Sequence, residues 1–288
     1  MKNQAASFAH LSRFLLLITY GSFCFLQATP IPQNTLQLAV VVAPHASTKN
    51  ALMRLYSREN SQAPWKEDTP WWPVLLGAAG MAWGIGLHPP QPGIQKKEGD
   101  KRTPAGVFKI GLILGHAERL PAGSSPDWPY RKVTDKDIWV DDPTSPHYNQ
   151  HLILGQDGIP NDYQAHRMTL GDQAYRWLVL IEHNYKPATP YAGSAIFFHV
   201  RRGIQRASAG CTVMALDTLE NFIRWLRPQS HPVLVQLPLK NYQKFREQWK
   251  LPLLRDLPTR PSAFWPPAEL GHITDLHDTA TNSSTFQP

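Results

Sequence analysis

Residues 193–214, GSAIFFHVRRGIQRASAGCTVM, carry the densest set of side chains that could perform covalent chemistry. His199 follows an apolar run, and Cys211 closes the polar, basic loop that comes next. A loop of this length can return the chain to its start, so an imidazole base could meet a thiol nucleophile. Because the thiolate is the reactive form, we expect a neighbouring imidazolium to lower the pKa of the thiol. On spacing alone, a small buried cysteine and a core histidine remain the alternative.

Residues beside the cysteine could complete a site for acyl transfer. Gly210 leaves room for a substrate carbonyl, and the backbone N–H groups of Gly210 and Cys211 could bind the oxyanion of a tetrahedral intermediate. Ser208 is a candidate for substrate binding on the same loop, and so is Arg202. The basic residues of the loop are Arg201, Arg202 and Arg206. Chemistry of this kind requires no metal and no organic cofactor.

A second polar cluster lies upstream, at residues 141–151 (DDPTSPHYNQH). Its prolines and turn-forming residues predict a loop. We expect Asp142, Tyr148 and Asn149 to line the substrate side of the cleft. His147 and His151 are four residues apart and would suit zinc only on a helix, which the prolines oppose. The sequence therefore predicts substrate contacts here and no metal site.

Two stretches resemble the catalytic signature of the L,D-transpeptidase (YkuD-type) family. Phe198-His199 and Ser208-x-Gly210-Cys211 are similar to the strand-end His and the Ser-His-Gly-Cys of that family. Residues 97–108, KEGDKRTPAGVF, are similar to its G-D-x-x-T-P-x-G-x-F stretch and come in the expected order. The resemblance spans about residues 36–238. It implies a β-rich catalytic domain, Cys211 as nucleophile, His199 as its base, and peptidoglycan stem peptides as substrate.

The chain departs from the family pattern at two places and so resembles a divergent branch. Ala209 stands where many members carry a second His, and Thr212-Val213 replaces a hydrophobic–Arg pair. The three arginines of the loop could substitute for the missing one. Cysteine-dependent transpeptidation through a thioester, which would cross-link or remodel the cell wall, is the leading interpretation. An L,D-carboxypeptidase or other hydrolase of peptidoglycan peptides, and an inactive wall-binding module, stay open.

Cysteine hydrolases of other lineages fit the order of these residues less well. Papain-like enzymes place the Cys before the His, which is the reverse of the order here. Sortase-like enzymes have the His much farther upstream and an Arg after the Cys, and the chain shows neither feature.

The elements expected to position these residues are mainly strands. Apolar or β-branched runs recur between turns at 36–43, 52–57, 72–76, 106–113, 177–182, 196–200 and 233–237. They predict a mainly β domain with a few helices, built as a β-sandwich or barrel. After the cysteine, Leu219, Phe222, Ile223 and Leu226 share one helical face. Asp217 and Glu220 have the spacing of a capping box for that helix.

Composition sets limits on the class of protein. The 288 residues are 42% hydrophobic and 18% charged, which excludes a disordered or fibrous chain. Two cysteines exclude a disulfide framework. The net charge of +7 is scattered rather than clustered, so it predicts no nucleic-acid partner. No specific protein partner is indicated.

Residues 1–28 have the features of a secretory signal peptide. Lys2 and Arg13 come before the apolar run Phe14–Leu26, and the first 28 residues contain no Asp or Glu. Cleavage after Ala28 would place the mature protein in the periplasm or cell envelope, with Cys211 as its remaining cysteine; an uncleaved anchor is the alternative. Residues 36–238 are expected to form the catalytic domain. Residues 239–288 are expected to form a peripheral helix near 241–250 and a poorly ordered Pro-rich tail.

Overall fold

The structure, a computed structural model, describes residues 29–156, 168 and 171–257, and it is mainly β, as predicted. The strands are β1 (Gln37–Ala43), β2 (Asn50–Ser57), β3 (Lys66–Glu67), β4 (Trp72–Leu75), β5 (Met81–Trp83), β6 (Thr103–Gly115), β7 (Tyr130–Lys132), β8 (Asp137–Val140), β9 (Gln150–Ile153), β10 (Leu178–Ile181), β11 (Phe197–Val200), β12 (Thr212–Met214) and β13 (Val233–Pro238). The α-helices of this part of the chain are α1 (Leu216–Trp225) and α2 (Leu239–Phe245). None of its helices is long and apolar enough to cross a membrane. The predicted signal peptide and the distal tail lie outside the described residues.

Eight strands join into a closed, barrel-like ring. Hydrogen-bonded neighbours run from β1 through β13, β6, β10, β11, β12 and β4 to β2, and β2 pairs back with β1. Each of the seven apolar runs predicted as strands forms a strand of this ring. The eighth member, β12, has three residues, too few for a period-two pattern to reveal it. The predicted barrel or sandwich class is therefore confirmed.

The ring strands next to the candidate cysteine are buried on both faces. Along β10 and β11, Val179 and Phe198 belong to the main hydrophobic core, whereas Leu180 and Phe197 face the opposite side. We call these the core face and the site face. The hairpin of β8 and β9 covers part of the site face, where Trp139 packs edge-on against Phe197 at 4.8 Å between ring centroids. Burial on both faces explains why these strands read as continuous apolar runs.

Helix α1 follows the cysteine segment and packs on the core face. Leu219, Phe222 and Ile223 are its buried residues, as the predicted helical face requires. The predicted capping box is wrong, because the helix begins at Leu216 and Ala215 takes the cap position without a side-chain bond. Asp217 therefore lies in the first turn, where its carboxylate interacts favourably with the positive end of the helix dipole.

The packed body continues past the predicted boundary at residue 238. Helix α2 is integral to the body rather than peripheral, because Tyr242, Phe245, Trp249 and Leu251 belong to the main core. The Phe245 and Trp249 rings stack at 4.3 Å between their centroids. The apolar spacing of this segment was too short to distinguish a core helix from a surface one.

Gly106 of the TPAG stretch is required by close packing. Its φ is +145°, and a Cβ there would lie 1.9 Å from Cε1 of His88. His88 is buried, and its Nδ1 accepts a hydrogen bond from Val107 N at 3.0 Å, so the ring cannot easily move. The glycine of this motif thus allows β6 to pass directly over an imidazole.

We expect Gly106→Ala to lower the free energy of unfolding by about 3 kcal/mol or more, because it adds backbone strain to a steric clash. Gly123→Ala is the matched control, since Gly123 also has a positive φ, +87°, but no heavy atom lies within 4 Å of the added Cβ. That control should cost about 1 kcal/mol. Urea unfolding of both variants gives the comparison, and equal losses would contradict the packing explanation.

Candidate active site

Strands β11 and β12 place the two candidate catalytic side chains on the site face. In their parallel register Phe198 pairs with Thr212 and His199 pairs with Val213. Cys211 precedes β12 and is therefore level with Phe197, one diagonal step from His199. Because alternate residues share a face, Cys211 and His199 point to the same side.

The connection between the two strands differs from the hairpin-like loop expected from the sequence. The strands are parallel, so residues 201–211 run back along the whole of β11 before β12 begins. Ser208 anchors this return: its backbone N donates to Leu76 O at 3.1 Å, and its O accepts from Ala78 N at 2.9 Å. The turn at the end of β4 therefore fixes the position of Cys211 along the strand direction.

Cys211 and His199 open onto one cavity of about 430 Å³. Its other lining residues are Lys96, Glu98, Gly99, Lys101, Asp141, Tyr175, Ser194, Ala195, Ile196, Arg202, Ser208, Ala209 and Gly210. The cavity thus combines a thiol, an imidazole and charges of both signs, with Ala209 presenting a small side chain where the family pattern often has an imidazole.

The hydrogen bonds of the sulfur go to the backbone of the neighbouring segment. Sγ of Cys211 accepts from Phe197 N at 3.4 Å and donates to Ala195 O at 3.5 Å. The hydrogen bond to His199 that the sequence predicts is not formed in this unliganded state. The diagonal placement of His199 on β11 and Cys211 just before β12 explains the missing hydrogen bond, although both side chains line the same cavity.

His199 has the tautomer that a general base needs. Its Nδ1 lies 2.9 Å from Val200 O, and a carbonyl can only accept, so Nδ1 carries the proton. The lone pair is then on Nε2. Burial lowers the pKa of His199 to about 4, so the imidazole is neutral at pH 7.

The thiol is also neutral at rest. Burial raises the pKa of Cys211 to about 11. The expected imidazolium–thiolate pair is therefore wrong for the unliganded state, because the same burial disfavours both charges. The arrangement instead suits proton transfer from thiol to imidazole as the substrate is attacked.

The loop before Cys211 is held in place by the hydroxyl of Ser208 and by Thr103 of the TPAG stretch. Ser208 Oγ donates to Cys211 O at 2.5 Å and accepts from Gly210 N at 3.0 Å. Gly210 has φ of +149°, a conformation suited to glycine. Thr103 Oγ1 accepts from Gly77 N at 2.7 Å and donates to Cys211 O at 3.4 Å. The two sequence motifs thus meet at the nucleophile.

Tyr148 and Asn149 are buried supports rather than exposed substrate contacts. The Asn149 amide donates to His183 O and Asn184 O and accepts from Ala195 N at 3.0 Å. The Tyr148 hydroxyl bonds Glu98 and accepts from Gly193 N. Their polar character suggested a cleft, but long-range packing turns both toward the segment that contacts the sulfur.

The other predicted site residues divide between the cavity and its surroundings. Asp142 does not line the cavity; its carboxylate accepts from Thr144 within the loop, and Asp141 lines the cavity instead. Arg202 lies beside His199 in the cavity wall, where Asp172 pairs with it at 2.5 Å and the Tyr175 ring lies under its guanidinium.

The alternative of zinc at His147 and His151 finds no ligand set. His151 Nε2 lies 2.7 Å from Asp137 Oδ1, and the Arg131 guanidinium donates to both oxygens of the same carboxylate. Within the described ranges, no group of three or more His, Cys, Asp or Glu could hold a metal ion.

Sequence reasoning missed Lys96, just before the KEGDKRTPAG stretch, and Glu98 within it. The side chain of Lys96 is only 3% exposed and pairs with Asp100 at 2.6 Å. Glu98 accepts from Ser194 Oγ at 2.8 Å. The motif itself contained a signal for this arrangement, because its aspartate, Asp100, also accepts hydrogen bonds from Lys97 N and Arg102 N and so holds the loop.

A family model for the L,D-transpeptidase catalytic domain, YkuD, matches residues 46–235. The match begins after β1 and ends within β13, so it includes both motifs and both candidate catalytic residues. Searches of curated proteins and of solved structures found no match.

Proposed function

Because the chain belongs to the YkuD family of L,D-transpeptidase catalytic domains, we propose that it transfers acyl groups between peptidoglycan stem peptides through a thioester on Cys211. The observation that carries the proposal is the shared cavity, in which a thiol and a correctly protonated imidazole lie on one face of two paired strands. Ala209 replaces a second histidine of the family pattern, but the pair is intact because its base, His199, is the histidine at the end of β11.

The first half-reaction forms the thioester. Sγ of Cys211 attacks the amide carbonyl that joins an L-centre to a D-residue, and its proton passes to Nε2 of His199. The carbonyl becomes a tetrahedral oxyanion, for which the backbone N–H of Cys211 is the proposed donor, because Gly210 N already donates to Ser208 Oγ at 3.0 Å and so does not fill the oxyanion role expected from the sequence. The C–N bond then breaks, the leaving amine takes the proton from His199, and the acyl group stays on sulfur.

The second half-reaction transfers the acyl group. His199 accepts a proton from an acceptor amine as that amine attacks the thioester carbonyl; collapse of the intermediate then breaks the C–S bond, and His199 returns the proton to the sulfur of Cys211. Water in place of the amine gives hydrolysis, the carboxypeptidase outcome. Export to the periplasm or cell envelope, where peptidoglycan lies, is part of the proposal and follows from the signal-like residues 1–28.

Incubation of the purified protein with isolated sacculi, followed by mass spectrometry of the released muropeptides, tests this function. We expect new cross-linked dimers or exchanged terminal residues that form without a metal or nucleotide. Shortened tripeptide stems alone would indicate the hydrolase instead. Unchanged muropeptides, together with retention of the protein on the sacculi, would indicate a binding module and contradict the proposal.

A further inference from the structure

The neutral imidazole leaves a question about charge at the nucleophile. His199 becomes positive only when it takes the thiol proton, so before attack any positive potential that favours the thiolate must come from other residues. The charged residues that line the cavity are Lys96, Glu98, Lys101, Asp141 and Arg202. Lys101 is exposed and the Arg202 side chain is 37% exposed, so solvent screens both of these charges.

Lys96 is the buried cation of this set. Its ammonium donates to Lys97 O at 2.7 Å and to Asp100 Oδ1 at 2.6 Å. An ammonium has three donors, so one has no hydrogen-bond partner among the described residues, in a side chain that lines the cavity. Burying an ion pair is costly and is weak evidence of a stabilising role, which directs attention to function.

The stem of Lys96 also runs against the segment that contacts the sulfur. A Cβ at Gly193 would lie 3.0 Å from Cγ and 3.1 Å from Cε of this lysine. Two residues farther on, Ala195 O bonds the thiol, and Phe197 N follows. The lysine and the thiol therefore flank one short stretch of backbone.

We propose that Lys96 is the cation that stabilises the Cys211 thiolate and the negative charge of the tetrahedral intermediate in this protein. It would supply the charge that the family pattern places after the cysteine and that Thr212-Val213 lacks. Asp100 reduces the positive potential of Lys96, because its carboxylate is ion-paired with the same ammonium. The proposal deepens the acyl-transfer function and rests on it for the intermediate, but its effect on the thiolate can be measured without any substrate.

The test measures the alkylation rate of Cys211 by iodoacetamide at fixed pH between 8 and 9, read at that residue by peptide mass spectrometry. Below the thiol pKa this rate follows the thiolate fraction. We expect Lys96→Met to slow alkylation about tenfold, since one unit of pKa is a factor of ten. Lys96→Arg should retain most of the rate. Lys97→Met, which removes an exposed charge from the same loop, should change it less than twofold.

Asp100→Asn separates a charge effect from loss of structure. Removing the carboxylate leaves the ammonium field uncompensated, so we expect alkylation to become a few-fold faster. A purely structural role for the ion pair predicts that both variants change the rate in the same direction. That result, or equal rates for Lys96→Met and Lys97→Met, would overturn the proposal. If Lys96→Met fails to fold, the direction of the Asp100→Asn change decides alone. Because no wall substrate is used, failure of the muropeptide assay would leave this result readable.

Discussion

Cys211→Ser is expected to reduce acyl transfer by at least about 1,000-fold while the fold persists. A hydroxyl is far less acidic than a thiol, and the neutral His199 is too weak a base to ionise it. Cys211 is only partly exposed, and the hydrogen bonds of its side chain go to backbone atoms, which a serine hydroxyl can also bond. Activity is measured by cross-linked muropeptide formation.

Thermal unfolding monitored by circular dichroism is the control for this variant. A midpoint within a few degrees of wild type would show that the loss is chemical. A serine variant that keeps more than about a tenth of the wild-type rate would contradict the nucleophile assignment.

His199→Gln is expected to reduce kcat/KM by about 100- to 10,000-fold, the usual contribution of a general base. The side chain keeps a polar group near Val200 O but has no basic nitrogen. In the wild type, the pKa of about 4 keeps the base form present, so activity should persist to pH 5 and fall only as the pH approaches 4. An acid limb centred near pH 6.5 would contradict this account of the imidazole.

The pH profile of the variant provides a second readout. Without the base, the reaction must use pre-formed thiolate, and the thiol pKa is about 11. The residual rate should therefore rise about tenfold per pH unit between pH 7 and 9. A residual rate that does not depend on pH would show that His199 acts only through structure.

The sequence could predict the ring strands because their apolar runs are long and bounded by turns. It could not predict the covering hairpin, since its two strands have only four residues each and β9 is half-buried along its length. The same absence of local signal concealed the parallel pairing of β11 with β12. That pairing depends on β4 and on the bonds of Ser208 to Leu76 and Ala78, which are all distant in sequence from these two strands.

The chemistry-bearing residues show the same limit. The types and spacing of His199 and Cys211 were sufficient to identify the candidate pair, but the protonation states of both groups depend on burial. Lys96 lies in a charged stretch of sequence that gives no local sign of its burial. Tyr148 and Asn149 were expected in the cleft because they are polar. Hydrogen bonds across about 45 residues of sequence place Tyr148 and Asn149, and the stem of Lys96 lies against Gly193, which is also distant in sequence.

The most direct test of the central claim is the mass of the protein after a short incubation with a tetrapeptide donor and no acceptor amine, quenched in acid. The account predicts an added mass equal to the donor acyl group, carried by the peptide that contains Cys211 and removed by hydroxylamine. Cys211→Ser should show no such adduct. Turnover of the donor without any adduct on Cys211, or with an adduct on another residue, would contradict the thioester mechanism.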